Sequence, residues 1–99
     1  MRKYRTHEEY LTEELKNPVE AALYLNATIE ENDPVLLVSA LAQVAKAHGM
    51  TKMAGRAHLS RMGLYKTLSK KGNPELKTFL QILKASGIQL AFKPLAQAA

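Results

Sequence analysis

The chain has 99 residues, 46% of them hydrophobic, and a net charge of +5 at pH 7. This is the length of one domain, with an ordinary apolar fraction. The absence of cysteine excludes disulfides and thiolate zinc sites and fits a reducing cytoplasm, and no apolar run approaches the roughly 20 residues of a membrane-spanning helix.

The charge is divided along the chain. Residues 1–33 hold four Lys or Arg against eight Asp or Glu, a balance of −4. Residues 34–99 hold ten against one, a balance of +9. A basic half of this kind concentrates polyanions at its surface. The opening MRKYRTHEEY has basic residues with no apolar stretch behind them, so it does not read as a secretory signal.

Thr6 and Glu9 have the spacing of a capping box, which predicts a helix from His7 to about Lys16. Asn17-Pro18-Val19-Glu20 repeats the signal, with Asn17 as N-cap and Pro18 at the first helical position. The helix it starts reaches about Glu31 and sets Val19, Ala22, Leu23, Leu25 and Ile29 mostly on one stripe. Asp33-Pro34 opens a third helix, Pro34 to His48, the most apolar in the chain and the expected centre of the core. Gly49 stops it, and His48 beside that glycine reads as a C-terminal cation.

The stretch from Lys52 to Lys71, KMAGRAHLSRMGLYKTLSKK, carries six cations and no Asp or Glu. Thr51 is expected to cap a short helix, Lys52 to Ala57, and Ser60 to cap a second, Arg61 to about Ser69. Two short helices joined by a tight turn are the pattern of a helix-turn-helix, in which the first helix braces and the second enters a DNA major groove. Small Ala54 lets the helices cross closely, Leu59 fills the turn, and Leu64 anchors the second helix. The opposite face then presents Arg61, Met62, Tyr65 and Lys66 as candidate base-reading residues. Arg61 sits in the first turn, where a guanidinium can pair with guanine O6 and N7. Met62 can touch a thymine methyl, and Gly63 lets backbone approach the DNA at a helix cost of about 1 kcal/mol. Phosphate contacts call for helix N-termini and flexible cations, which makes Thr51, Lys52, Ser60, Lys70, Lys71, Asn73 and Lys77 the candidates.

Asn73-Pro74 starts a last helix that reaches Ser86, and Gly87 closes it. In the tail, Ile88, Leu90 and Phe92 alternate with Gln89, Ala91 and Lys93, the period of a half-buried strand. A lone strand leaves backbone groups unpaired. Pairing with the same strand of a second chain through Ile88, Leu90 and Phe92 would make a homodimer suited to two DNA half-sites; packing on its own helices is the other arrangement. The expected fold is therefore all-α, five or six helices in one domain. Residues 1–32 form acidic N-terminal helices, 33–87 a DNA-binding core and 88–95 a strand.

The segments YLNATIEENDP at 24–34, ALAQVAKAHGM at 40–50 and LSRMGLYKTLSKKGNPELKTFLQILKASGIQL at 59–90 resemble the addiction-module antidote proteins. These are small HigA-like antitoxins with a Cro/C1-type (lambda-repressor-like) helix-turn-helix. The resemblance covers about residues 10–93. It implies an antitoxin that neutralises a RelE/HigB-like ribonuclease toxin encoded beside it, and that represses their shared operon by binding the operator. It also implies a protein of the cytoplasm, associated with the nucleoid. Three features depart from the pattern: His58 stands where the turn usually has Gly, Met62 and Gly63 replace polar residues, and Gly55 weakens the bracing helix. For the toxin-binding surface, the carboxylates Glu8, Glu9, Glu13, Glu14, Glu30 and Glu31 and the C-terminal strand both stand as candidates.

No catalytic constellation is visible. His7, His48 and His58 fall in separate elements without metal-ligand spacing, the glycines form no phosphate loop, and no nucleophile is paired with a base. The expectation is a protein that is not an enzyme and has no cofactor or metal. A phage-type or chromosomal repressor without a toxin partner is the alternative function. A protein-interaction module that has lost DNA binding is a third.

Overall fold

The computed structural model describes residues 7–69 and 73–96. Among the described residues the fold is all-α, with six helices: α1 (His7–Leu15), α2 (Pro18–Glu30), α3 (Pro34–His48), α4 (Met50–Arg56), α5 (Arg61–Thr67) and α6 (Leu76–Ala85). No helix of the structure is long and apolar enough to cross a membrane. Thr6 and its capping box lie outside the described residues, as do Lys70, Lys71 and Gly72.

The helix starts follow from local chemistry. Asn17 Oδ1 accepts from the Val19 N–H at 2.8 Å, and Asp33 Oδ1 from the Val35 N–H at 2.9 Å. In both, the proline behind the cap supplies a preset φ and has no N–H to leave unsatisfied. Two starts differ from expectation. α4 begins at Met50, so Thr51 lies in its first turn and is not its cap; Gly49 is the N-cap residue. Winding Met50 into the helix turns its side chain inward, where it is buried with Met53. α6 begins at Leu76 behind Glu75, two residues after Asn73-Pro74.

α3 is the central helix, packed against α1, α2 and α4. It buries Ala40, Leu41, Val44, Ala45 and Ala47. α4 in turn carries α5 and α6. Leu41, Val44, Met53, Leu64 and Ile82 are all fully buried, which joins α3, α4, α5 and α6 in one core, and Leu15, Ala21 and Leu25 extend it under α1 and α2. Each large apolar side chain removed from water contributes about 1.5–3 kcal/mol. Ser86 is buried among them without a penalty, because its hydroxyl donates to the Ile82 carbonyl at 2.8 Å.

The tail does not form the expected strand: there is no strand among the described residues. α6 closes on Gly87 at φ 80°. The Gly87 N–H bonds to the Lys84 carbonyl and the Ile88 N–H to the Leu83 carbonyl, both at 3.0 Å, a Schellman motif. Ile88 is thereby held half-buried against the core of its own chain. Leu90 and Phe92 beyond it are exposed. A strand requires a ladder partner, and one copy of the chain offers the tail no second extended segment.

Candidate nucleic-acid interface

α4 and α5 are joined by residues 57–60, and the turn is built by backbone geometry. His58 adopts the left-handed conformation, φ 59°. Its N–H bonds to the Gly55 carbonyl at 3.2 Å, and the Leu59 N–H to the Ala54 carbonyl at 2.9 Å. These are the two bonds of a second Schellman motif, with Leu59 half-buried against the core. His58 thus occupies the left-handed position that a Schellman motif most often gives to Gly. His pays about 1–2 kcal/mol for that backbone, and the motif's hydrogen bonds and the seating of Leu59 hold it there. α6 braces the same turn: Gln81 Nε2 donates to the Ala57 carbonyl at 3.0 Å. Gln81 was not legible as a functional residue, since a single polar position on an apolar helix carries no signal of what it reaches 24 residues away.

α5 starts on Ser60, whose Oγ accepts from the Gly63 N–H at 2.9 Å. A Cβ on residue 63 would lie 2.9 Å from that same Oγ. Gly63 thus spares the cap a close contact, a local reason for glycine beside the one expected from approach to DNA. Leu64 is fully buried and Leu68 nearly so. This fixes the rotation of α5 and leaves Arg61, Met62, Tyr65 and Lys66 together on its exposed face, with Met62 80% exposed. Arg61 and Tyr65, one turn apart, also touch each other. The guanidinium lies 5.6 Å from the ring centroid, and its Nη2 is 3.4 Å from the tyrosine hydroxyl. Such a contact is worth about 0.5–1 kcal/mol at an exposed site.

The expected phosphate-binding residues are distributed unevenly. Thr51 and Lys52 are exposed in the first turn of α4, which has no side-chain cap on its N-terminal N–H groups. Ser60 is exposed, its oxygen engaged as a cap and its proton free to be donated. Asn73 is exposed but lies upstream of α6, and Lys77 is exposed in the first turn of that helix beside Glu75. Lys70 and Lys71 are outside the described residues.

His48, expected as a cation, has the opposite character. It is half-buried and its Nε2 has no hydrogen-bond partner. Burial, and then the nearby charges of Arg56, Lys52 and Lys16, hold its pKa below the ordinary 6.5. The imidazole is therefore neutral near pH 7. No group of three or more potential metal ligands occurs among the described residues.

No solved structure matches this chain significantly. An uncharacterised protein of Haemophilus influenzae is 40% identical over 79 residues, 80% of this chain and 81% of that protein. Residues 6–94 match the family model described as "probable addiction module antidote protein", a span that includes all the described helices. The chain belongs to the addiction-module antidote family.

Proposed function

We propose that the protein is a DNA-binding antitoxin that represses its own operon and neutralises a RelE/HigB-like ribonuclease toxin. The family implies a toxin partner in general. One observation carries the DNA-binding part: burial of Leu64 and Leu68 turns Arg61, Met62, Tyr65 and Lys66 outward together on a short helix that Ser60 caps. In this reading α4 and α5 are a helix-turn-helix of Cro/C1 type. α5 enters the major groove, with Arg61 on guanine and Met62 on a thymine methyl. Thr51, Lys52 and Ser60 meet phosphates around it. Each phosphate neutralised by a lysine or arginine steepens the salt dependence of binding by about 0.9 log units per log salt.

The toxin partner is assigned to the acidic helices α1 and α2. Glu9, Glu13, Glu14 and Glu30 lie on them and complement a basic ribonuclease surface. The protein acts as a homodimer in the cytoplasm, with no catalytic step of its own. A promoter–reporter fusion tests the repressor part. Supplying the chain in trans should silence its own promoter, and Arg61→Ala should relieve that silencing while leaving protein levels unchanged. Coexpression with the neighbouring gene tests the antitoxin part. Growth arrest by that gene should be relieved by the wild-type chain and by Arg61→Ala alike.

A further inference from the structure

Arg61 and Tyr65 stand one helical turn apart on α5, so their side chains are neighbours on one face. A long helical side chain points back toward the N-terminus of its helix, which brings the ring of Tyr65 over the turn that carries Arg61. The contact has two parts. The guanidinium carbon lies 5.6 Å from the ring centroid, and Nη2 donates toward the tyrosine hydroxyl at 3.4 Å. The burial of Leu64 fixes the rotation of α5 and so keeps both partners on the exposed side.

The chemistry of this hold suits an arginine that has to read a base. No Asp or Glu occurs between Asp33 and Glu75 in the sequence. A carboxylate would fix the guanidinium, but it would occupy the donors and neutralise the charge that DNA must meet. An aromatic ring attracts the cation and leaves its charge in place. The guanidinium has five N–H donors, and giving one to the hydroxyl leaves more than the two that guanine O6 and N7 require. Arg61 can therefore stay on Tyr65 while it pairs with a base. An arginine without such a hold samples many rotamers and loses that freedom on binding.

We propose that Tyr65 is a positioning residue for Arg61. Its ring and hydroxyl hold the guanidinium on the exposed face of α5 before DNA arrives, and so set the discrimination at the base pair that Arg61 reads. This rests on the repressor reading given above and deepens it: Tyr65 acts through Arg61, not through a base contact of its own.

The test uses the full-length protein and its own promoter duplex, with each base pair of the protected region substituted in turn. Arg61→Ala marks the pair that Arg61 reads, because substitution there no longer weakens binding. Tyr65→Leu removes ring and hydroxyl from a position that is 46% exposed and leaves a good helix former. It should reduce discrimination at that one pair about two- to fivefold, the worth of an exposed cation–π contact, and leave the other pairs as in wild type. Tyr65→Phe should keep most of the discrimination. In the Arg61→Ala background, Tyr65→Leu should cost nothing further at any pair. In the protein free of DNA, the Arg61 Nε–H resonance is identified by its absence in Arg61→Ala. It should shift in Tyr65→Leu, as the ring current is lost, and stay near its place in Tyr65→Phe. Three results would overturn the inference: discrimination that survives Tyr65→Leu, a loss that persists in the Arg61→Ala background, or an Arg61 resonance indifferent to the ring. A wild type that binds promoter and scrambled duplexes alike would instead defeat the repressor reading, and this inference with it.

Discussion

The hairpin α1–α2 and the pair α4–α5 share a support and show opposite chemistry. α1, α2 and α4 all pack on α3, and α5 rides on α4. On α1 and α2 the exposed surface combines carboxylates, among them Glu13, Glu14, Glu20 and Glu30, with the large apolar side chains of Tyr10, Val19, Leu23 and Ile29. On α4 and α5 it combines Lys52, Arg56, Arg61 and Lys66 with no acid at all. Apolar area among acids suits burial against protein, because the gain comes from water released at a shaped surface. Cations around a short capped helix suit a phosphate backbone, whose affinity comes from counterion release. One small core thus holds two surfaces of opposite sign, and the division of charge along the sequence becomes a division in space.

Substitutions can break one side of this comparison at a time. The largest effect is expected from Leu64→Ala, which empties a fully buried position under α5. It should destabilise the fold by about 2–5 kcal/mol, read as a lower urea midpoint, and should abolish DNA binding along with it. Arg61→Ala should weaken binding to the cognate operator by about 1–3 kcal/mol and relax discrimination at one base pair. Its urea midpoint and dimerisation should stay within error of wild type. An Arg61→Ala protein with unchanged operator affinity would place the reading face elsewhere.

Smaller changes sharpen the comparison. His58→Gly removes a left-handed histidine from the turn and should stabilise the protein by about 1 kcal/mol in thermal or urea unfolding. A loss of stability instead would mean that the imidazole makes a contact worth more than the strain. The smallest effect belongs to His48. Its folded pKa lies below that of the unfolded chain, so the unfolded state binds the proton first and stability falls as pH drops below about 6.5. Urea titrations from pH 7.5 downward should show this loss, and His48→Gln should flatten it.

Much of this was legible in the sequence because the signals are local. The caps Asn17, Asp33 and Ser60 each act on an N–H two or three residues away, and Gly87 acts on the turn that contains it. The outward set on α5 was legible for the same reason, since burying Leu64 and Leu68 fixes its rotation. What was not legible depends on distant partners. Met50 opens α4 and is buried in the core, which no neighbouring residue announces. His48 lost its charge to burial and to Lys16, Lys52 and Arg56, which come from other elements of the chain. The alternation in the tail is real as a pattern, but a strand is a property of a pair of segments. Ile88 found its partner in the core and Leu90 and Phe92 found none in the same chain.

The central claim, that the exposed face of α5 reads DNA, is tested most directly by a gel-shift titration of the wild-type protein. The two duplexes are its own promoter region and a scrambled sequence of equal length, each at two salt concentrations. Tight binding to the promoter duplex is expected to persist at the higher salt and to exceed binding to the scrambled duplex. Equal, weak binding to both duplexes that disappears with salt would contradict it, leaving a basic surface without a reading helix.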